Sequence, residues 1–222
     1  MSRLEDNFRK VEPYVPGEQP NLPDMVKLNT NENPYPPSPK VAEALQKFEL
    51  DSLRLYPDPA STDLVNALAE RYHVQADQVY TGVGSDDVLA IAFLTFFNSG
   101  KPILFPDITY SFYDVWAELF QIPYERPALD DAFALRLEDY QCENGGIVIA
   151  NPNAPTGIRQ SEEFLRAVIE ANPNVVVIID EAYADFSGYT ALPLVDEYEN
   201  VVVVQTFSKS RSMAGMRIGH AI

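Results

Sequence analysis

The chain has 222 residues, 46% of them hydrophobic and 22% charged, enough for one large domain or a domain plus part of another, with a substantial buried core. Its formal net charge of -17 leaves no basic patch to neutralise nucleic-acid phosphates and disfavours anionic membrane surfaces. No apolar run approaches the length of a spanning helix, the first residues carry no signal-peptide core, and Cys142 is the only cysteine, so a reducing, cytoplasmic setting without an intrachain disulfide is expected.

Residues 1–37 read as an arm. A short helix is expected over 4–10, then extended chain, because seven prolines fall between Pro13 and Pro37, with Pro16 and Pro20 among them. Thr30-Asn-Glu-Asn-Pro-Tyr35 is dense in hydrogen-bonding side chains. It is either a surface arm or a flap over a pocket or a partner subunit. A helix is expected from Ser38 as N-cap, with Pro39 at its first position. Leu55-Tyr-Pro-Asp-Pro59 is a turn, and Ser61 or Thr62 then caps a helix running to about Tyr72.

From Val79 the pattern alternates as a layered α/β domain does. Strands are expected at 78–81, 102–105, 122–125, 146–150, 175–179, 201–205 and from Arg217 to Ile222. Helices are expected at 87–97, at 110–120 with Tyr113, Trp116 and Phe120 on one side, and at 161–171 with Ser161 as cap. Residues 132–140 fit neither pattern. Four consecutive valines, Val201 to Val204, mark a strand buried on both faces, which belongs in a parallel sheet.

The polar residues gather where these strands stop. Strand 146–150 runs into Asn151-Pro-Asn-Ala-Pro-Thr-Gly157, strand 175–179 into Asp180-Glu-Ala-Tyr183, and strand 201–205 into Thr206-Phe-Ser-Lys209. In a parallel sheet these ends share one edge, where open α/β sheets bind ligands. Gly82-Val-Gly-Ser precedes a helix, and its small residues and free amides suit an anion. An amine nucleophile, a carboxylate for a ring nitrogen, a phenol and an amide for a ring hydroxyl, and amides with Arg217 for a phosphate answer the four handles of pyridoxal phosphate.

With Leu28-Asn-Thr-Asn-Glu-Asn-Pro-Tyr35, Arg54-Leu-Tyr-Pro-Asp58, Thr109-Tyr-Ser-Phe-Tyr113 and Ala214-Gly-Met-Arg-Ile-Gly219 added, the chain resembles the fold-type I, pyridoxal-phosphate-dependent aminotransferases almost throughout its length. The resemblance implies a three-layer α/β/α domain around a mainly parallel seven-stranded sheet, with residues 1–37 as arm, 38–58 as a small-domain segment and 59–222 as an incomplete cofactor-binding large domain. It implies Lys209 as Schiff-base lysine and proton shuttle, Asp180 against the pyridine nitrogen, and Tyr183 and Asn153 on the ring hydroxyl. Tyr110 stacks on the ring; Gly84, Ser85, Asp86, Ser208 and Arg217 surround the phosphate; Tyr56 reaches the phosphate of a neighbouring subunit, implying a homodimer. The reaction implied is transamination between an amino phosphate and a 2-oxo acid. Alternatives are a transaminase of aromatic amino acids, a threonine-phosphate decarboxylase or a non-catalytic cofactor-binding fragment.

Two departures stand out. Ala154 occupies the place where many relatives carry asparagine before Pro-Thr-Gly, and Asn153 lies one residue earlier. The family also runs on past the equivalent of Ile222, so the chain is expected to be a fragment that lacks the arginines gripping the substrate's acidic group.

Plainer readings compete with each motif. Gly82-x-Gly is half a dinucleotide fingerprint, but Asp87 stands where the third glycine belongs. Ser208 and Ser210 lack the Gly-x-Ser-x-Gly elbow of a hydrolase. Glu181 beside Asp180 suggests a metal pair, yet alternation sends adjacent strand residues to opposite faces. With one cysteine and two histidines (His73, His220), no metal site is expected. Tyr113 reads as a core aromatic, Asp86 as a first-turn helix acid, and Cys142 and Asp130-Asp131 as structural or solvated.

Overall fold

The structure, a computed structural model, describes residues 4–15, 17–18 and 22–222; Pro16 and Pro20 of the arm lie outside the described residues. Seven strands form one sheet: β1 (Tyr80–Gly82), β2 (Ile103–Leu104), β3 (Tyr124–Glu125), β4 (Gly146–Ala150), β5 (Val177–Asp180), β6 (Val201–Thr206) and β7 (Gly219–Ala221). Their order is β1-β7-β6-β5-β4-β2-β3. Only β7 runs against the rest, antiparallel to both β1 and β6. The expected three-layer, mainly parallel architecture is therefore present.

Strands β4, β5 and β6 are the apolar runs of the sequence, and helices cover them on both sides. On one face Val148, Ile178 and Val204 pack with Val88, Leu89 and Phe93 of α3 (Ser85–Phe96) and with Tyr113 and Trp116 of α4 (Phe112–Phe120). On the other, Ile147, Ile149, Val177, Ile179, Val201 and Val203 pack with Leu165, Val168 and Ile169 of α5 (Glu162–Ala171). The alternation places Asp180 on the α3–α4 face and Glu181 on the α5 face. Register fixes Asp180 between Ala150 and Val204, at the carboxyl edge shared by three strands.

Several local expectations shift for physical reasons. The helix expected from 87 begins at Ser85, because Gly84 takes φ 88° and turns the chain straight out of β1. Residues Ser85 and Asp86 thus belong to the helix's first turn, where amide N–H groups have no intrahelical acceptor. Helix α2 (Thr62–Tyr72) is capped by neither Ser61 nor Thr62; Asp58 accepts from the Thr62 amide at 2.7 Å and from Ala60 at 3.0 Å. The Ser161 cap on α5 is as expected, accepting from the Phe164 amide at 3.2 Å. Ser38 precedes α1 (Pro39–Gln46) without a side-chain cap bond. The segment expected as a helix at 4–10 is a single 3₁₀ turn, Glu5–Asn7. Residues 132–140 form a turn closed on Asp130 and a 3₁₀ turn, Leu137–Tyr140.

Neither α1 nor the 3₁₀ turn Leu50–Arg54 buries a residue, and Leu45, Leu53 and Leu55 are exposed. Among the described residues no helix is long and apolar enough to cross a membrane, and no three His, Cys, Asp or Glu side chains are grouped to hold a metal ion.

Candidate active site

The carboxyl ends of β1, β4, β5 and β6 surround a cavity of about 230 Å³, lined by Ser85, Asp86, Tyr110, Asp180, Tyr183, Ser208, Lys209 and Arg217. Eight side chains predicted from separate stretches of sequence therefore meet at one place.

Lys209 sits in the loop after β6. Its Nζ donates to the carbonyl of Thr30 at 2.9 Å and lies 5.6 Å from the centre of the Tyr183 ring. Tyr183 follows β5, and its hydroxyl accepts from Asn31 Nδ2 at 2.8 Å. Asn33 Nδ2 donates to the Ser210 carbonyl at 3.1 Å. The arm is thus a flap over the cavity of its own chain. Thr30 and Asn31 hold φ values of 61° and 52°, the left-handed bend that folds the flap down.

Asp180 closes the floor. It is 5% exposed, and burial, with the nearby Asp86 carboxylate adding to it, pushes its carboxyl up to about 6. Two donors oppose that rise: the Tyr113 hydroxyl at 2.7 Å on Oδ2 and the Ala182 amide at 3.1 Å on Oδ1. Tyr113 is fully buried, and burial beside Asp180 lifts its phenol well above the ordinary range, so it stays a donor. It is a core aromatic, as expected, but its hydroxyl also aims Asp180. The signal was available: a tyrosine on an apolar helix face needs a partner for its hydroxyl. Tyr110 faces the cavity from the loop just before the same helix and donates to Asp86 Oδ1 at 2.8 Å.

At the opposite end the first turn of α3, whose amides lack intrahelical acceptors, lines the cavity beside Ser208 and Arg217, an arrangement that can hold an anion. Arg217 Nη1 lies 3.5 Å from Ser208 Oγ, and Nη2 lies 3.6 Å from Asp86. Glycine at 84 is required by its φ of 88°; a Cβ there would also meet the guanidinium of Arg217, a flexible end that can move aside. Gly219 lets β7 close on this helix start, since a Cβ there would stand 2.3 Å from the Gly84 carbonyl carbon.

Three predicted residues lie off the cavity lining: Gly84 (which turns the chain into α3 behind Ser85), Asn153 and Tyr56. Asn153 is buried, and its amide is already engaged: Nδ2 donates to Ile108 O and Thr156 Oγ1, and Oδ1 accepts from Thr109 Oγ1 at 2.7 Å. It borders an adjoining hollow with Asn31, Arg159 and Phe186, while Ala154 lines the main cavity. Tyr56 is wholly exposed, outside the cavity of its own chain. Thr30 and Glu32 line the cavity without having been predicted individually.

The family model for aminotransferase class I and II matches residues 23–222. The chain is 54% identical over 217 residues to a histidinol-phosphate aminotransferase of Lactococcus lactis subsp. cremoris, covering 98% of this chain and 61% of that protein. It is also 54% identical to the histidinol-phosphate aminotransferase of Pseudomonas putida, covering 64% of that protein. The chain therefore spans about three fifths of the length of the curated relatives it matches. Among solved structures, aspartate aminotransferase from Thermotoga maritima superposes with a TM-score of 0.75 at 25% identity, over 90% of this chain and 58% of that one. Histidinol-phosphate aminotransferase from Sinorhizobium meliloti, in complex with pyridoxal-5'-phosphate, gives 0.74 at 24% identity over 87% of this chain and 55% of that one, a likeness of fold.

Proposed function

The chain belongs to the class I and II aminotransferase family, and from that premise we propose that it is the cofactor-binding part of a pyridoxal-phosphate-dependent histidinol-phosphate aminotransferase of histidine biosynthesis. The observation that carries the reading is the shared cavity. An amine, a buried carboxylate and an anion cradle stand around one space, spaced by three different strand ends.

The residues present fit the cofactor. The helix start of α3, Ser208 and Arg217 would hold its phosphate, and Gly84 and Gly219 keep that cradle open. Asp180, whose ionisation burial opposes, gains most from a protonated ring nitrogen placed against it. When bound, the cofactor supplies an electron sink for a carbanion at the substrate's α-carbon. Lys209 Nζ is the amine that would hold the cofactor's aldehyde end and, when free, would carry the proton of the substrate's α-carbon. Tyr110 would cover the ring face and Tyr183 would bond the ring hydroxyl, with Asn153 as the amide proposed beside it in the loop after β4. The flap at Thr30–Asn33 lies over the amine and accepts from it through the Thr30 carbonyl.

The reaction proposed is reversible: histidinol phosphate plus 2-oxoglutarate exchange with imidazole-acetol phosphate plus glutamate. The identity of 54% to relatives of that name supports this substrate pair over aromatic amino acids or threonine phosphate. Residues 1–37 then act as arm, 38–58 as a small-domain segment and 59–222 as the large domain. A homodimer is proposed, with the exposed Tyr56 ring reaching the neighbouring subunit's phosphate cradle, in a cytoplasmic setting that suits the single cysteine.

Mixing the chain with pyridoxal phosphate should give an absorbance band that Lys209→Ala abolishes; no band would refute cofactor binding. Half-reactions with histidinol phosphate, phenylalanine and threonine phosphate then decide the substrate. Silence toward histidinol phosphate alone would remove the first choice.

A further inference from the structure

Glu181 is adjacent to Asp180 in sequence and turned to the other face of the sheet, where the cofactor chemistry does not reach. It is 2% exposed, and no arginine, lysine or histidine pairs with it among the described residues. Burying a carboxylate away from a cation is costly, and the pressure of burial on its carboxyl is upward. An apolar side chain would fill the same place at lower cost. The residue is therefore explained by what it bonds rather than by stability.

Its three partners are all donors: Thr190 Oγ1 at 2.6 Å, the Ala191 amide, and Gln205 Nε2 at 2.8 Å. Gln205, on β6, uses its other end to accept from the Tyr72 hydroxyl at 2.8 Å. Tyr72, the last residue of α2, accepts in turn from Arg211 Nη2 at 2.7 Å. Arg211 stands two residues beyond Lys209, with its guanidinium 4.5 Å from the Phe207 ring centre and 3.9 Å from Asp185. Asp185 also takes the Ser210 hydroxyl.

Every donor in this series points the same way: Arg211 to Tyr72, Tyr72 to Gln205, Gln205 to Glu181. The direction is forced by the ends. A guanidinium only donates, and an ionised carboxylate only accepts. Each bond in such a chain polarises the next. Two neutral residues, Tyr72 and Gln205, stand between the guanidinium and the carboxylate, and the ion partner of Arg211 is Asp185. His220 packs against Tyr72 at 5.5 Å, and burial pushes its imidazole down to about 4, so it is neutral at ordinary pH and adds no charge of its own; Asp185, 3.9 Å from Arg211, is the carboxylate beside the donor end.

We propose that Glu181 and Arg211 are positioning residues, the two ends of a one-way hydrogen-bond relay through Gln205 and Tyr72 that fixes the loop presenting Lys209. The proposal rests on the reading of Lys209 as the reacting amine. It couples the two faces of the sheet: Asp180 aims at the ring from one side, and its neighbour sets the amine from the other.

The test compares Glu181→Gln, Arg211→Met, their double variant and Tyr72→Phe in the full chain. Glutamine at 181 turns one N–H toward Gln205, which must flip and leave the Tyr72 hydroxyl without an acceptor. Tyr72→Phe removes only the central oxygen and keeps the packing on His220, so it serves if Glu181→Gln does not fold. Two readouts are taken, the first by unfolding and the second on the folded chain. Urea unfolding should show each single change lowering the folding equilibrium constant by about tenfold or more, with the double variant no worse than the worse single one. Acylation of Lys209 Nζ, mapped by mass and referred to exposed Lys40 in the same sample, should be at least about threefold faster in each variant, because the loop no longer holds the amine against Thr30. A brace that served stability alone would leave that ratio unchanged. Multiplying effects in the double variant, or an unchanged ratio, overturns the relay. Neither readout uses the cofactor, so failure of wild-type chain to show a Lys209-dependent band would count against cofactor binding and not against the relay.

Discussion

Asp180→Asn in the cofactor-free chain separates the cost of building the site from its use. The carboxyl is pushed from an ordinary 3.8 to about 6 in the folded chain. Between those values the unfolded chain has released its proton and the folded chain still holds it. Stability contributed by this group is therefore complete below about pH 4, falls as pH rises to about 6 and stays low above it. Roughly two pH units at 1.36 kcal/mol each make the loss about 3 kcal/mol at most. Asparagine is neutral throughout and, like the protonated acid, can accept from only one of Tyr113 and Ala182 at a time. The variant should match the native chain near pH 4 and exceed it by up to about 3 kcal/mol at pH 7. Urea unfolding of both chains from pH 4 to 8 gives the comparison, and all other carboxylates cancel in the difference. Adding pyridoxal phosphate should then stabilise the native chain more than the variant. Parallel pH profiles, or a variant less stable at pH 7, would refute the placement of Asp180 as a buried carboxylate held for a cationic partner.

Three further outcomes are expected. Gly219→Ala drives a Cβ into the backbone of Gly84 and Ser85, which cannot yield as a side chain would, and should cost about 1–3 kcal/mol or more and weaken cofactor binding. Gly215→Ala, with nothing within 4 Å, is the matched control and should stay within about 0.5 kcal/mol in thermal unfolding. Tyr113→Phe removes a donor that favours ionised Asp180; the carboxyl's titration, followed by carbon NMR, should move further up and cofactor affinity should fall by roughly tenfold. Mixing Tyr56→Phe chains with Lys209→Ala chains tests the proposed dimer: recovery of activity in the mixture supports Tyr56 acting on a neighbouring subunit, and its absence with both chains folded argues against it.

The sheet and the polar edge that borders the cavity were legible because they depend on local runs. Val201–Val204 and Ile147–Ile149 can only be buried strands, and the polar residues that stop them can only lie at one edge. Lys209, Asp180 and Ser85 followed from that placement. What stayed hidden depends on contacts distant in sequence. Tyr113 was read by its face of a helix, and nothing in that period reports a carboxylate 67 residues later. Asn153 sits in a recognisable loop, but its amide is claimed by Ile108 and Thr109 from the loop after β2. The cap of α2 was misplaced because Asp58, four residues before Thr62, reaches back from a proline turn. The flap over Lys209 needed two left-handed residues, Thr30 and Asn31, neither of which advertises that backbone.

Strand β7 carries a consequence beyond pairing. Because it runs against its neighbours, it starts at the edge where they finish. The return from β6 into β7 therefore delivers Lys209 and Arg217, eight residues apart, to the same edge on one hairpin. Met213 N closing on Phe207 O and Phe207 N on Ile218 O hold that hairpin at fixed length. The two side chains are thus carried by one short stretch of chain, so an insertion or deletion within that stretch would shift both at once.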